Sequence, residues 1–347
     1  MSKRPEDLLD LDRIDAKLKE AIPGLAGSPQ ATLLAGGASN VTFALDYEDR
    51  SLILRRAPPG TKAKGAHDMI RESRIIAGLR SQFPLVPEVY LQVDDPEVMD
   101  TPFFVMERLE GQILRGDAGP ESGITPEIAD RLCEELVQTW ARLHAVDVSV
   151  DELSWLDRGE GYVERQIGGW AHRYRKAITP DVGDFETVIA WLEANRPADA
   201  GRCLIHNDYR FDNLVLDAAD PAVIRGVLDW ELATVGCPLM DVGGALAYWV
   251  QADDEKGFHM LRLQPTHLPG MWTRSRLVER YEELAGRQLE PLAFYEVYGL
   301  FRLAGIGQQI YYRHYHGQFR SERFANFVHV VNYLEQRCLR IIGAADG

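Results

Sequence analysis

The sequence predicts an α+β chain of two lobes. Residues 1–108 form a small β-rich amino-terminal lobe and residues 109–347 a larger, mostly helical carboxy-terminal lobe. Three observations predict this. Short apolar runs bounded by turn residues crowd the stretch from Thr32 to Glu107, with one helical pattern among them. From Pro126 onward apolar residues recur mostly at helical spacing. Within the helical part, Cys203–Leu216 is a polar turn between two apolar strands, and another strand, Val223–Leu228, follows closely. Strands followed by helices around a small second sheet give an α+β layering.

Composition narrows the class. At 347 residues the chain can bury two substantial cores, and its 46% hydrophobic and 26% charged residues are those of a soluble globular protein. A formal net charge of -15 argues against general nucleic-acid binding and against a basic membrane-surface patch. No apolar run approaches a membrane span, and Met1-Ser2-Lys3-Arg4-Pro5-Glu6-Asp7 leads into no signal-peptide core. Cys133, Cys203, Cys237 and Cys338 lack the paired spacing of a zinc site or disulfide frame, so they read as reduced thiols of a cytoplasmic chain.

In chain order, Asp10 is the expected cap of a first helix with Leu11, Ile14, Leu18 and Ile22 on one face, stopped by Pro23-Gly24. Thr32 to Tyr47 reads as strand, small-residue loop, strand. The loop Gly36-Gly37-Ala38-Ser39-Asn40 is bare enough for its backbone N–H groups to approach phosphate oxygens, although a Gly-Gly pair by itself is an ordinary turn. The strand Ser51–Arg55 ends in a cation. In the helix that starts near His67, Ile75, Ile76 and Leu79 give the apolar face. Glu72 lies one turn earlier, and on the plain reading it is a solvated surface glutamate. Strands Val89–Val93 and Pro102–Glu107 follow, the second running into Arg108-Leu109-Glu110-Gly111. After a loop rich in glycine and acid, Pro126–His144 is an amphipathic helix. A second helical region carries Trp155, Tyr162, Trp170 and Tyr174, and a third spans Phe185–Ala194. Aromatic residues at this spacing read as core rather than as a ligand cage.

The chemistry-bearing stretch is His206-Asn207-Asp208-Tyr209-Arg210-Phe211-Asp212-Asn213, with Asp229 closing the later strand. Asp and Asn are poor β-formers, and gathered at the ends of adjacent strands their oxygens suit a divalent cation that demands hard ligands. A turn with Asx caps is the plain alternative. The pattern His-x-Asp-x-x-x-x-Asn followed by a strand-terminal Asp resembles the catalytic arrangement of the protein-kinase-like fold. That resemblance implies ATP and Mg²⁺ as cofactors. It makes Asp208 the group that orients a hydroxyl and takes its proton, with Asn213 and Asp229 as metal ligands. It places Gly36, Gly37, Ser39 and Asn40 over the triphosphate and Arg55, positioned by Glu72, on the phosphates. Arg55 departs from the usual Lys and offers a planar fork in place of a compact ammonium. Met106 then guards the back of the adenine pocket, and backbone groups of Glu107 and Leu109 meet the adenine edge. Asp241 can cap the following helix, and the resemblance also implies that it anchors the catalytic loop. The connection after Asp229 is too short for the activation segment of a regulated protein kinase.

With Leu228-Asp229-Trp230-Glu231 and Gly236-Cys237-Pro238-Leu239-Met240-Asp241, these motifs look like the aminoglycoside phosphotransferase and choline-kinase-like superfamily. Arg55-Arg56-Ala57-Pro58-Pro59-Gly60 and Ala66-His67, ahead of Arg71-Glu72, are similar to one branch of it, related to the kinase-like domain fused to some acyl-CoA dehydrogenases. The resemblance runs from about Leu33 to Ala247 and into the C-terminal helices. It implies transfer of the ATP γ-phosphate to a hydroxyl of a small molecule, and a strand cation that varies between Lys and Arg. Arg210 is then a candidate for neutralising the transferred phosphoryl group, or else a surface cation. Aminoglycosides and choline are cations that would suit an acidic chain. Yet Arg302, Arg313, Arg320, Arg323, His314 and His316 stand against the single acid Glu322, with Tyr311, Tyr312, Tyr315 and Phe319 interleaved. This points to an anionic hydroxylated metabolite such as a hydroxyacyl-CoA, unless the cations merely balance neighbouring acids. An antibiotic phosphotransferase and a nucleotide-binding pseudokinase acting as an interaction module are the competing functions. Loss of the base or of a metal ligand would mark the pseudokinase, and neither is lost.

Overall fold

Strands β1 (Gln30–Leu33), β2 (Val41–Asp46), β3 (Ser51–Arg56), β4 (Val89–Val93) and β5 (Phe103–Glu107) pair antiparallel in the order β1-β2-β3-β5-β4. This is seen in a computed structural model that describes residues 9–34, 40–58, 67–116, 122–318 and 322–347. Side chains alternate across a strand, and both faces of this sheet are covered. Phe43, Leu45, Leu52, Leu54, Phe103 and Val105 pack with Ile14 and Leu18 of helix α1 (Leu11–Ala21). Ala44, Ile53, Phe104 and Met106 share a core with Ile75, Ile76 and Leu79 of helix α2 (Met69–Leu79). Two-sided burial is why these strands read as unbroken apolar runs. The same alternation separates the two arginines of β3. Arg55 shares the α2 face with Ile53, whereas Arg56 points to the other face and meets Asp100 at 2.8 Å. Asp10 caps α1 as expected, accepting the Arg13 N–H at 3.2 Å.

The larger lobe carries α3 (Pro126–His144), α4 (Asp151–Ser154), α5 (Tyr162–Lys176), α6 (Glu186–Ala194), α7 (Pro238–Leu246), α8 (Lys256–His259), α9 (Arg274–Ala285), α10 (Leu292–Tyr315), α11 (Glu322–Ala325) and α12 (Phe327–Ala345). The helix expected over Pro126–His144 is α3, capped by the Thr125 hydroxyl with Pro126 in its first turn. The expected aromatic residues divide. Tyr162 and Tyr174 are buried, while Trp155 and Trp170 are only partly covered. Helices α7 and α10 cross at glycines: a Cβ at Gly243 would collide with the Tyr295 carbonyl oxygen, and one at Gly299 with the Gly243 carbonyl oxygen. The two backbones touch.

The small second sheet is two separate ribbons. β6 (Cys203–Ile205) pairs with β9 (Thr234–Gly236), and β7 (Leu214–Leu216) pairs with β8 (Ile224–Val227). The turn between β6 and β7 is too long and too tightly held to let them pair as a hairpin. The three residues of β9 carry no pattern from which a strand can be read. All four cysteines are buried and free. Among the described residues no helix is long and apolar enough to cross a membrane.

Candidate active site

The register of β7 against β8 pairs Leu214 with Val227, and the Leu228 N–H donates to the Asn213 carbonyl at 2.8 Å. This puts Asn213 beside the start of the segment that carries Asp229. The Asn213 amide Nδ2 donates to the carbonyl of Asp208 at 2.8 Å and to its Oδ2 at 2.9 Å. The other carboxylate oxygen, Oδ1, lies 3.1 Å from Arg210 Nε. Arg210 in turn lies 3.1 Å from Asp212 and over the Tyr248 ring at 5.0 Å. Burial pulls the Arg210 guanidinium down, but the carboxylates of Asp208 and Asp212 outweigh it and hold the group above its ordinary value. Arg210 is therefore bracketed by acids and fixes the Asp208 carboxylate from one side, and a plain surface cation is excluded.

A buried carboxylate holds the loop that presents Asp208. Asp241 Oδ1 accepts the Asn207 N–H at 2.6 Å, and its Oδ2 accepts from the His206 N–H at 3.2 Å, Trp140 Nε1 at 3.0 Å and His144 Nε2 at 3.1 Å. Burial alone would raise Asp241, but the hydrogen bond and charge of His144, with Trp140, hold it below the usual carboxylate range. Asp241 thus anchors the catalytic loop, as the resemblance implies, and makes no capping bond to α7, the other expectation, because both oxygens are spent on the loop and its supports. Asn207 adopts a left-handed backbone (φ 64). Its side chain donates to the Leu232 carbonyl and accepts from the Tyr162 hydroxyl. His206 Nε2 lies 2.9 Å from the Leu228 carbonyl while its Nδ1 accepts the Asp208 N–H at 3.2 Å, which fixes the proton on Nε2.

On the other side of the cleft, Arg55 Nη1 meets Glu72 Oε1 at 2.9 Å, as expected, and Nη2 meets Asp229 Oδ1 at 2.8 Å. Glu231 stands 3.9 Å from the same nitrogen. Burial pulls Arg55 down, but Glu72 and Asp229 more than restore it and hold it above its ordinary value. Burial pushes Glu72 up. Arg55 opposes this, Asp229 adds to it, and the outcome is about 7. Asp229 takes a left-handed backbone (φ 67), which turns its carboxylate back toward Arg55. Asn40 ties the two lobes, donating from Nδ2 to Glu231 at 2.6 Å while its Oδ1 lies 3.0 Å from His67 Nδ1.

Residues 30–294 match the family described as the phosphotransferase enzyme family, APH. The chain belongs to that family. It is 30% identical over 347 residues to acyl-CoA dehydrogenase family member 11 of Pongo abelii, with 97% of this chain and 44% of that protein covered. The chain thus spans less than half the length of the curated relatives it matches first. A putative aminoglycoside phosphotransferase from Ralstonia eutropha superposes with a TM-score of 0.82 at 25% identity, covering 96% of this chain and 98% of the other. Aminoglycoside phosphotransferase APH(4)-Ia, in a ternary complex with AMP-PNP and hygromycin B, superposes with a TM-score of 0.57 at 17% identity, covering 96% and 99%. The two-lobed kinase-like fold expected from the sequence is the fold of these neighbours. The matched family is one of phosphotransferase enzymes.

Asn213 and Asp229 bring oxygen donors of the kind a magnesium ion prefers. Among the described residues no cluster of three His, Cys, Asp or Glu could hold a metal alone. A two-residue oxygen set fits an ion that completes its shell with phosphate and water. Arg55 at present occupies one oxygen of Asp229. At the expected adenine edge, Met106 is buried in the sheet core, and the Glu107 N–H donates to the Glu88 carbonyl at 2.8 Å, which leaves that N–H unavailable to a base. Leu109 lies against Gly226, where a Cβ would strike its side chain. Gly36, Gly37 and Ser39 lie outside the described residues. The expected C-terminal cationic patch divides. Arg302 is buried and donates to the Asn207 carbonyl at 2.6 Å, while Arg313 is exposed about 16 Å further along α10 at 1.5 Å per residue. Arg320 and the Arg323 side chain lie outside the described residues.

Several supports carry no sequence signal. Gln264 accepts the Phe211 N–H at 2.9 Å and donates to the Tyr248 carbonyl at 3.2 Å. The Tyr209 hydroxyl donates to the Leu136 carbonyl, and its ring stacks on Trp140 at 5.0 Å. Arg71 of α2 donates to the carbonyls of Glu231 and Ala233. These are side chain to backbone or ring contacts between distant segments, and no local spacing announces them.

Proposed function

We propose that this phosphotransferase moves the γ-phosphate of ATP to a hydroxyl of a small molecule, with Asp208 as the base. The observation that carries the reading is the Asp208 carboxylate, fixed on one oxygen by Asn213 and on the other by Arg210, beside a Glu72–Arg55–Asp229 chain. Asp208 takes the hydroxyl proton as the acceptor oxygen bonds to the γ-phosphorus and the bond to ADP breaks. Arg55, oriented by Glu72, holds the phosphates, and Arg210 keeps Asp208 aimed and adds positive charge near the transferred group. Asn213 and Asp229 would hold Mg²⁺, which when bound neutralises charge on the phosphate oxygens. Backbone groups near Glu107 and Leu109 receive the adenine, with Met106 behind, and Gly36, Gly37, Ser39 and Asn40 bind the phosphates. The division at residues 108 and 109 separates the nucleotide-binding lobe from the lobe that holds the base and the acceptor.

The acceptor we infer is an anionic hydroxylated metabolite, such as a hydroxyacyl-CoA. Arg302 against the catalytic loop supports it, as does the likeness to an acyl-CoA dehydrogenase family member. An aminoglycoside acceptor is the second reading, favoured by the neighbour that binds hygromycin B. The test is phosphate transfer from Mg·ATP to hydroxyacyl-CoAs, free hydroxy acids, choline and aminoglycosides, with Asp208→Ala as control. Transfer to one class, abolished in the variant, is expected. ATP binding with neither transfer nor hydrolysis would sink the kinase reading in favour of a pseudokinase.

A further inference from the structure

Several covered arginines have carboxylate partners: Arg55 has Glu72, Arg56 has Asp100 and Arg274 has Asp254. Among the described residues Arg302, on the catalytic loop, and Arg173, which shares the Trp170 ring with it, do not. Arg302 of α10 is 5% exposed, and its electrostatic neighbours are the phenols of Tyr248, Tyr298 and Tyr162 and the reacting carboxylate of Asp208 itself. Arg173 of α5 lies 4.0 Å over the Trp170 ring, and the Arg302 guanidinium lies 5.6 Å from the same ring. The Arg173 Nε is buried without a hydrogen-bond partner, and among the described residues neither arginine makes an ion pair with a carboxylate. Gly305, one turn beyond Arg302, makes room for this arrangement, since a Cβ there would press on the Trp170 ring at 3.0 Å. Burial pulls the Arg173 guanidinium below its ordinary value, and the positive charge of Arg302 adds to that pull. Burial pulls Arg302 down too, but its neighbours, Tyr248 first, hold it above its ordinary value, so the unmet charge rests on Arg173, where an anion would relieve it.

We propose that Arg173, Trp170 and Arg302 hold an anionic group of the acceptor, a carboxylate or a phosphate ester, with the acceptor hydroxyl turned to Asp208. This rests on the kinase reading above and assigns its selectivity to three residues. Arg302, anchored on the Asn207 carbonyl, fixes one guanidinium relative to the base. Arg173 supplies the donors that are not already engaged. Trp170 lends a flat apolar wall that orients both.

The experiment is ADP release from Mg·ATP with acceptors offered in matched pairs. A hydroxyacyl-CoA against its N-acetylcysteamine thioester reports a phosphate-ester anchor, and a hydroxy acid against its amide reports a carboxylate anchor. The anionic member of one pair is expected to win by about tenfold or more in kcat/KM, the scale of one charge-assisted hydrogen bond. Arg173→Gln should raise KM for that member by a similar factor, with a smaller effect on kcat and on the neutral member, and Arg173→Lys should restore part of the loss. A preference that survives Arg173→Gln, equal use of both members, or refusal of every anionic acceptor while ATP turnover persists would each overturn the proposal and leave the kinase reading standing. Absence of any Asp208-dependent ATP turnover in the wild type removes both.

Discussion

Asp241 holds the Asn207 N–H at 2.6 Å, and through that one bond a helix of the larger lobe sets the backbone immediately before Asp208. The carboxylate is buried and collects donors from the loop and from two side chains of α3, so it acts as the node where loop and helices meet.

Asp241→Ala should therefore unfold at lower temperature and denaturant. Each buried donor left unsatisfied costs about 1–3 kcal/mol, and relaxation spares part of the sum, so a loss of about 2–4 kcal/mol is expected. The sign of its pH dependence follows from the depressed value of Asp241. Its contribution is present above the unfolded carboxylate value of 3.8 and is lost as pH falls through the lower folded value. Thermal midpoints of the wild type and the variant should converge as the solution is acidified through that window.

Glu72 gives the opposite slope. Its folded value, about 7, stands above its ordinary 4.5 because burial outweighs the attraction of Arg55. Between those values the folded chain binds the extra proton, so this group makes stability fall as pH rises from about 4.5 to about 7. The ionised form is the one that pairs with Arg55, so kcat/KM for ATP should rise through the same range. Glu72→Gln should flatten both curves, and a variant that kept the wild-type activity limb would remove Glu72 from its cause.

Replacing Asp208 by Asn keeps its shape and removes its basicity. Phosphate transfer should fall about 10²- to 10⁴-fold, the usual contribution of a positioned base, with ATP binding by calorimetry nearly unchanged. Loss of binding in the same proportion would make Asp208 a structural residue.

Chelation with EDTA should abolish transfer and added magnesium should restore it. In Asp229→Ala the magnesium concentration needed for half-maximal rate should rise at least about tenfold, as expected when one of few oxygen ligands is removed. The same variant frees Arg55 from one of its two close carboxylates, so its thermal midpoint should be read alongside the rate.

The smaller lobe was legible because both faces of its sheet are buried: alternating core positions make each strand an apolar run, the cap at Asp10 follows from short spacing, and the pair Arg55–Glu72 follows from the resemblance to the kinase-like fold. Within the catalytic stretch, spacing placed Asn213 near the strand that leads to Asp229, and the register of β7 with β8 aligns them. Spacing was silent on direction. From its place in a first turn Asp241 read as a helix cap, and it was the family resemblance that gave the role the fold shows, an anchor for a loop thirty-four residues earlier. The arginines of the C-terminal stretch looked like one patch because they are close in sequence. Helix α10 spaces Arg302 and Arg313 apart along its axis, and of these two Arg302 reaches the loop. Trp170 read as core and Arg173 carried no signal, since their meaning depends on α10 lying across α5 with a glycine at the crossing.

The backbone contact of α7 with α10 at Gly243 and Gly299 fixes what can move. Helix α7 carries Asp241, and through it the base; helix α10 carries Arg302. With no side chains between them to slide or repack, these helices form one stiff frame. The distance between the base and its neighbouring cations is then set when the chain folds, not when a ligand arrives. Opening and closing during turnover would have to exchange links between the lobes, among them Arg55–Asp229, Asn40–Glu231 and the bonds of Arg71 to the Glu231 and Ala233 carbonyls.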